Sequence, residues 1–138
     1  MSMMFRLGWL VAFTTLCLWA GTPPDSTAST TPHLYHNPPA TIQQNVITNL
    51  TCVIEPANRQ VLAVKVFLRN NTEKNYKELR MQYKNGTFIV PVIPEMLNGR
   101  YLYYFLVAEF RDFAALAFPA ANPETNPIKV PIIPAKKK

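Results

Sequence analysis

Histidine, cysteine, glycine and tryptophan are scarce in this 138-residue chain, and each scarcity removes a class of function. The histidines are His33 and His36, a His-x-x-His pair with no Cys, Asp or Glu beside it to complete the three or four ligands that zinc requires. No metal and no other cofactor is expected. The four glycines lie far apart, which excludes a glycine-rich phosphate loop. Beyond residue 21 the only serines are Ser26 and Ser29, in a Pro/Thr-rich stretch that offers no rigid platform for a Ser-His-Asp arrangement. Glu78, Glu109 and Asp112 are the carboxylates that a glycosidase-type pair would draw on, but a small isolated sandwich rarely forms the cleft such a pair works in. The chain is therefore not expected to be an enzyme.

Hydrophobic residues make up 49% of the sequence, enough for one compact core and too little length for a second. Residues 1–21 read as an export signal: Arg6 supplies positive charge, Leu7 to Ala20 is apolar, and Ala20 and Gly21 are small enough for cleavage. The apolar run is shorter than the roughly 20 residues of a spanning helix, so no membrane span is expected after cleavage. Both tryptophans, Trp9 and Trp19, and Cys17 leave with the signal. Cys52 is then alone in the apolar run Leu50 to Ile54, where it is expected to pack as a small hydrophobe. Residues 22–39, rich in Pro, Ser and Thr, are expected to form an extended linker, residues 40–133 the domain, and 134–138 a basic tail.

Within the domain no long 3.6-residue periodicity occurs, and short alternating runs are punctuated by Pro, Asn and Gly, the pattern of an all-β sandwich. Thr41 to Glu55 supplies one or two strands. Gln60 to Arg69 follows, with Leu62, Val64, Val66 and Leu68 predicted on the inner face and Lys65 and Arg69 on the outer. In Tyr76 to Tyr83 the inward residues are Leu79 and Met81, and Asn85-Gly86 is a hairpin signal leading into Phe88 to Ile93. Pro91 cannot donate to a ladder, which predicts an edge strand or an unpaired side there. Arg100 to Phe110 is apolar or aromatic at every position from Tyr101 to Ala108, as a strand covered on both faces would be. The closing segment, Phe113 to Ala117 and then Ile128 to Ile133, is interrupted by Pro119, Pro123 and Pro127 and is predicted to split in two.

Two surfaces stand out. Alternation places Tyr101, Tyr103 and Phe105 opposite Leu102, Tyr104 and Leu106, so that if one set fills the core the other forms an aromatic face suited to a protein contact. Lys65, Arg69 and Arg80 belong to a basic stretch that reads either as a positive face or, preferentially, as a solvated one; no nucleic-acid-binding module accompanies it. Asn49, Asn70 and Asn85 match the glycosylation acceptor pattern, which chance explains in so asparagine-rich a chain.

His36-Asn37-Pro38-Pro39, Val64 to Arg69, Met81 before the Asn-Gly turn, Ile93-Pro94, Tyr103-Tyr104-Phe105 leading to Glu109, and the Pro-rich exit from Phe118 to Val130 together resemble the small bacterial immunoglobulin-like or fibronectin type III-like domains of exported proteins. The resemblance spans Leu34 to Ile133. It implies an immunoglobulin-like sandwich located in the periplasm, at the cell surface or outside the cell, acting as a structural or protein-binding adaptor whose partner is supplied in trans; a homo-oligomer is compatible with it. A glycan- or ligand-binding module is the alternative, and an accessory subunit of a hydrolase a more distant one. Two departures matter: Cys52 has no partner cysteine around a buried Trp, and the turn after Glu109, Phe110-Arg111-Asp112-Phe113, has no glycine where the family usually has one.

Overall fold

The computed structural model describes residues 31–56 and 60–137. The expected signal over 1–21, residues 22–30 of the expected linker and the last residue of the tail lie outside them. Ten strands follow in order: β1 (His33–His36), β2 (Ile42–Gln43), β3 (Thr48–Glu55), β4 (Val61–Asn70), β5 (Lys77–Arg80), β6 (Gln82–Lys84), β7 (Thr87–Val92), β8 (Tyr101–Phe110), β9 (Ala115–Phe118) and β10 (Ile128–Ile133). A single 3-10 turn, Pro94–Met96, separates β7 from β8. One sheet has four strands in the order β1-β3-β7-β6; the other has six, in the order β2-β10-β8-β4-β5 with β9 also on β8. The chain is an all-β sandwich. Among the described residues no helix is long and apolar enough to cross a membrane.

Strand alternation builds the core. From the six-stranded sheet come Val64, Val66 and Leu68 of β4 and Leu102, Tyr104, Leu106, Ala108 and Phe110 of β8; from the other come Leu50, Cys52 and Ile54 of β3 and Val90 and Val92 of β7. Each fully buried aliphatic side chain of this kind contributes about 1.5–3 kcal/mol relative to exposure. Cys52 lies among them as a packed thiol, its Sγ 3.7 Å from the Met81 sulfur and its pKa pushed up to about 12 by burial.

β8 is the axis of the larger sheet. One side pairs with β4 along its whole length; the other is shared, β10 taking Tyr101 to Tyr104 and β9 taking Leu106 to Glu109. The proline-rich passage between β9 and β10 therefore divides one long partner strand into two, as its prolines require. At the opposite flank the chain passes from one sheet to the other at Met81, whose backbone N–H donates to the Val64 carbonyl while β6 on its far side turns into β7 through Asn85 and Gly86, both with positive φ.

Three local expectations change. Leu62 is not a core residue: a register shift between Val61 and Ala63 turns it out to 55% exposure, and Val61 packs inward instead. Pro91 meets the second of its two expectations, an unpaired side: β7 lies between β3 and β6, but β6 reaches only to Ile89, so the missing N–H costs no ladder bond. His33–His36, inside the expected linker, is β1 and pairs with β3 from His33 opposite Glu55 to His36 opposite Cys52. Phe113 is not in a strand; it occupies the turn between β8 and β9.

Candidate functional site

The outer face of the six-stranded sheet collects the residues singled out above. Tyr101, Tyr103 and Phe105 project from β8 there, beside Lys65, Phe67 and Arg69 of β4, with Phe67 directly opposite Phe105 and Arg69 opposite Tyr103. Phe67 and Phe105 stack with ring centroids 5.0 Å apart, and Tyr76, from the loop before β5, meets Phe105 edge-on at 5.0 Å. Phe105 is thereby only 4% exposed. It is a buried member of a small cluster on the outside of the sheet, which corrects its assignment to an open aromatic surface.

Tyr101 and Tyr103 keep half-exposed rings, and cations lie on them. The Arg69 guanidinium sits 4.6 Å from the Tyr103 centroid and 5.2 Å from that of Tyr76, and the Lys129 ammonium sits 4.1 Å from the Tyr101 centroid. Among the described residues neither cation is in an ion pair; Arg69 adds one hydrogen bond to the Glu73 carbonyl. Each such contact is worth about 0.5–1 kcal/mol at an exposed site and restricts the side chains that make it. Tyr76 is fixed in turn by donating its hydroxyl to the Glu124 carbonyl at 3.1 Å.

The three basic residues do not act together. Lys65 is neutralised by Glu78 at 3.1 Å and Glu109 at 3.5 Å, and these carboxylates, Glu78 foremost, raise its pKa. Arg80 lies opposite Lys65 in the ladder but reaches to the Leu62 carbonyl at 3.4 Å, at the bulge. It borders a cleft of about 810 Å³ at the end of the sandwich, walled by Val61, Leu62, Met81, Tyr83 and Phe88. The outer face is thus charge-balanced at its Lys65 end and cationic and aromatic at its Tyr101 end.

That end is held by a network of asparagines. Buried Asn70 accepts from the Thr72 backbone N–H and hydroxyl and donates to Glu73 Oε1 at 2.7 Å, while Asn71 Oδ1 accepts from the N–H of Arg100 at 2.7 Å and of Tyr101 at 3.3 Å. Gly99, at φ +108, suits the place beside it, since a Cβ there would collide with Asn71 Oδ1. Asn70, one of the three acceptor-pattern asparagines, is 1% exposed and so unavailable for glycosylation in the folded chain.

His36, assigned to the linker by its surroundings in sequence, lies in the fold. Its Nδ1 is 2.6 Å from the Thr51 carbonyl and its Nε2 is 2.7 Å from the buried Tyr104 hydroxyl. A carbonyl only accepts, so Nδ1 carries the proton and the Tyr104 hydroxyl donates to Nε2. The ring also meets Tyr104 and Phe118 edge-on, each at 5.5 Å. It ties the edge of one sheet to the centre of the other. Burial holds its pKa below the usual 6.5, against the raising effect of the Thr51 bond, and burial raises that of Tyr104. The available signal was the alternation of Leu34 and His36 on one side of a short run. Both ring nitrogens are occupied, and no cluster of three or more metal-ligating side chains exists among the described residues.

No family model matches the chain, and no curated protein matches it. Among solved structures it is similar to a crystal structure described as an engineered protein of the Northeast Structural Genomics Consortium, at 13% identity and a TM-score of 0.49, over 77% of this chain. The chain spans 20% of that protein's length.

Proposed function

We propose that the protein is a non-catalytic, exported immunoglobulin-like module that binds another protein, as an adaptor or structural component of an envelope or extracellular assembly. The reading is carried by the Tyr101/Tyr103 end of the outer sheet face, where two half-exposed tyrosines lie under Lys129 and Arg69. Tyrosine and arginine are the side chains most enriched among energetically dominant interface contacts, and holding them in place beforehand lowers the entropy lost on binding. Two cations without carboxylate partners among the described residues favour an acidic partner surface. Retention of proteins from an envelope extract on the immobilised chain tests this. A stoichiometric acidic partner is expected, its affinity falling at least ~10-fold in Arg69→Ala or Tyr103→Ala, the scale of a single hot-spot truncation. Unchanged retention by both variants would remove the surface from the reading.

The second reading, a small-ligand module, draws on the cleft beside Arg80, whose wall is as polar as it is apolar and, among the described residues, carries one cation, which suits an amphipathic anion. Ligand binding that disappears in Arg80→Ala, with no protein retained, would favour it.

A further inference from the structure

The two lateral edges of the sandwich differ in charge. At one, β5 and β6 carry Lys77, Glu78, Arg80 and Lys84, the side chains that blunt strand addition. At the other, β1 and β9 carry none: residues 31–54 and 113–123 contain no Asp, Glu, Lys or Arg. β1 pairs only with β3, and β9 only with β8, among the described residues.

The turn into β9 determines which backbone groups face outward. Phe113 donates its N–H to the Phe110 carbonyl, and Phe110 donates to the Ala114 carbonyl at 2.9 Å. In an antiparallel ladder hydrogen-bonded pairs recur at every second residue, so Leu116 and Phe118 bond inward to Ala108 and Leu106. The N–H and C=O groups of Ala115 and Ala117 then point away from β8, along the free edge.

Phe113 is the second observation. Its φ of +63 is the left-handed conformation that a turn of this form ordinarily gives to glycine, and its side chain is 99% exposed. A bulky residue bears strain in that conformation, and this one gains no packing among the described residues in return.

We infer that β9 is the site at which a second copy of this chain adds, antiparallel and about a two-fold axis at Leu116, joining two six-stranded sheets into one. The inference does not rest on the tyrosine face. Such an axis sets Ala115 of each copy against Ala117 of the other, both with outward backbone groups, so the pairing is self-complementary without any shift of register. Antiparallel pairing also brings the Phe118-Pro119 end of one β9 beside Phe113 of the other, which covers the exposed ring. The chain has a formal charge of +6, so two copies repel, least where neither presents a charge. A four-residue strand pair buries less than a standard interface, and the association is correspondingly weak and concentration-dependent.

Sedimentation of the exported form over a concentration series up to ~1 mM, where weak association becomes visible, tests it. A monomer–dimer equilibrium is expected. Phe113→Gly, Ala115→Lys and Ala117→Pro should each weaken the dimer at least ~10-fold, the scale of a lost hot-spot contact, and Lys84→Ala on the opposite flank should leave it unchanged. Phe113→Gly removes the ring while relieving the backbone, so its melting temperature should hold or rise as the dimer is lost, separating association from folding. Ala115 is exposed, so its lysine variant keeps the fold. A monomer at every concentration, or a dimer indifferent to all three substitutions, overturns the inference, as does addition of a strand from another protein at β9 without self-association.

Discussion

The β5/β6 flank and the β1/β9 flank close the same sandwich by different means. At the first the backbone itself crosses: one stretch contributes β5 to the larger sheet and β6 to the smaller, with Met81 buried at the crossing, its amide bonded to Val64 and its sulfur against Cys52. At the second the backbone also crosses, from β1 of the smaller sheet through residues 37–41 to β2 of the larger, and a side-chain bridge joins the sheets beside it, His36 of β1 reaching the Tyr104 hydroxyl of β8. The turns differ in the same sense. Asn85-Gly86 meets its positive φ angles with residues that tolerate them, whereas the turn before β9 assigns one to Phe113. Both flanks are covalently continuous, but the first bears charged side chains along its edge strands, whereas the second presents uncharged edges and leaves an aromatic residue at positive φ in solvent.

The comparison breaks most strongly at Met81. Met81→Ala should lower stability by about 2–5 kcal/mol, the range for truncating a buried methionine, read as a lower denaturant midpoint with a nearly unchanged slope. If the loss were under about 1 kcal/mol, the crossing would be less tightly packed than its burial indicates.

The side-chain bridge should yield next. Tyr104→Phe leaves His36 Nε2 without its donor and should cost about 1–2 kcal/mol. The bridge is also pH-sensitive. Because the folded-state pKa of His36 lies below the unfolded value of about 6.5, the unfolded chain takes up the proton first, and stability rises with pH through this window. It is fully present above the unfolded pKa and is lost as pH falls from there through the depressed folded value. Denaturation curves at pH 7.5 and pH 5 should therefore separate for the natural chain and draw together in His36→Gln. No such sensitivity belongs to the Met81 crossing.

The two turns should respond in opposite directions, and by the smallest amounts. Gly86→Ala meets no atom within 4 Å, so only its φ of +82 opposes the methyl group, and a loss of about 1 kcal/mol is expected. Phe113→Gly should raise monomer stability by about 1 kcal/mol, because relief of strain exceeds the entropy that glycine adds to the unfolded chain. Thermal melts of dilute protein measure both. A destabilised Phe113→Gly monomer would mean that the ring is held by contacts within the chain.

Most strand positions were legible from alternation, because a sheet with one buried face imposes a period of two on its residues; Val64, Val66, Leu68, Leu79 and Met81 face inward as the pattern requires. Leu62 escaped the pattern because a bulge inverts the facing of everything before it, and no residue type marks one. The aromatic face was read correctly as lying opposite the core, yet Phe105 is covered there by Tyr76, which comes from a loop whose path alternation does not describe. His36 lay in a Pro-rich stretch whose composition resembles a spacer, and its importance depends on a contact 68 residues away.

By itself, then, the sequence determined that the chain is all-β, which residues of most strands face inward, where the Asn-Gly hairpin turns and that the last long strand is divided, because each of these follows from interactions between near neighbours or from the stereochemistry of proline and glycine. Only the tertiary structure decided that Phe105 is sheltered, that Arg69 and Lys129 rest on tyrosine rings while Lys65 is neutralised, that His36 bridges the sheets, and that β9 keeps an uncharged edge unpaired among the described residues. Those are matters of which distant strands become neighbours, and strand pairing is set by the global balance of burial and loop closure rather than by any local pattern.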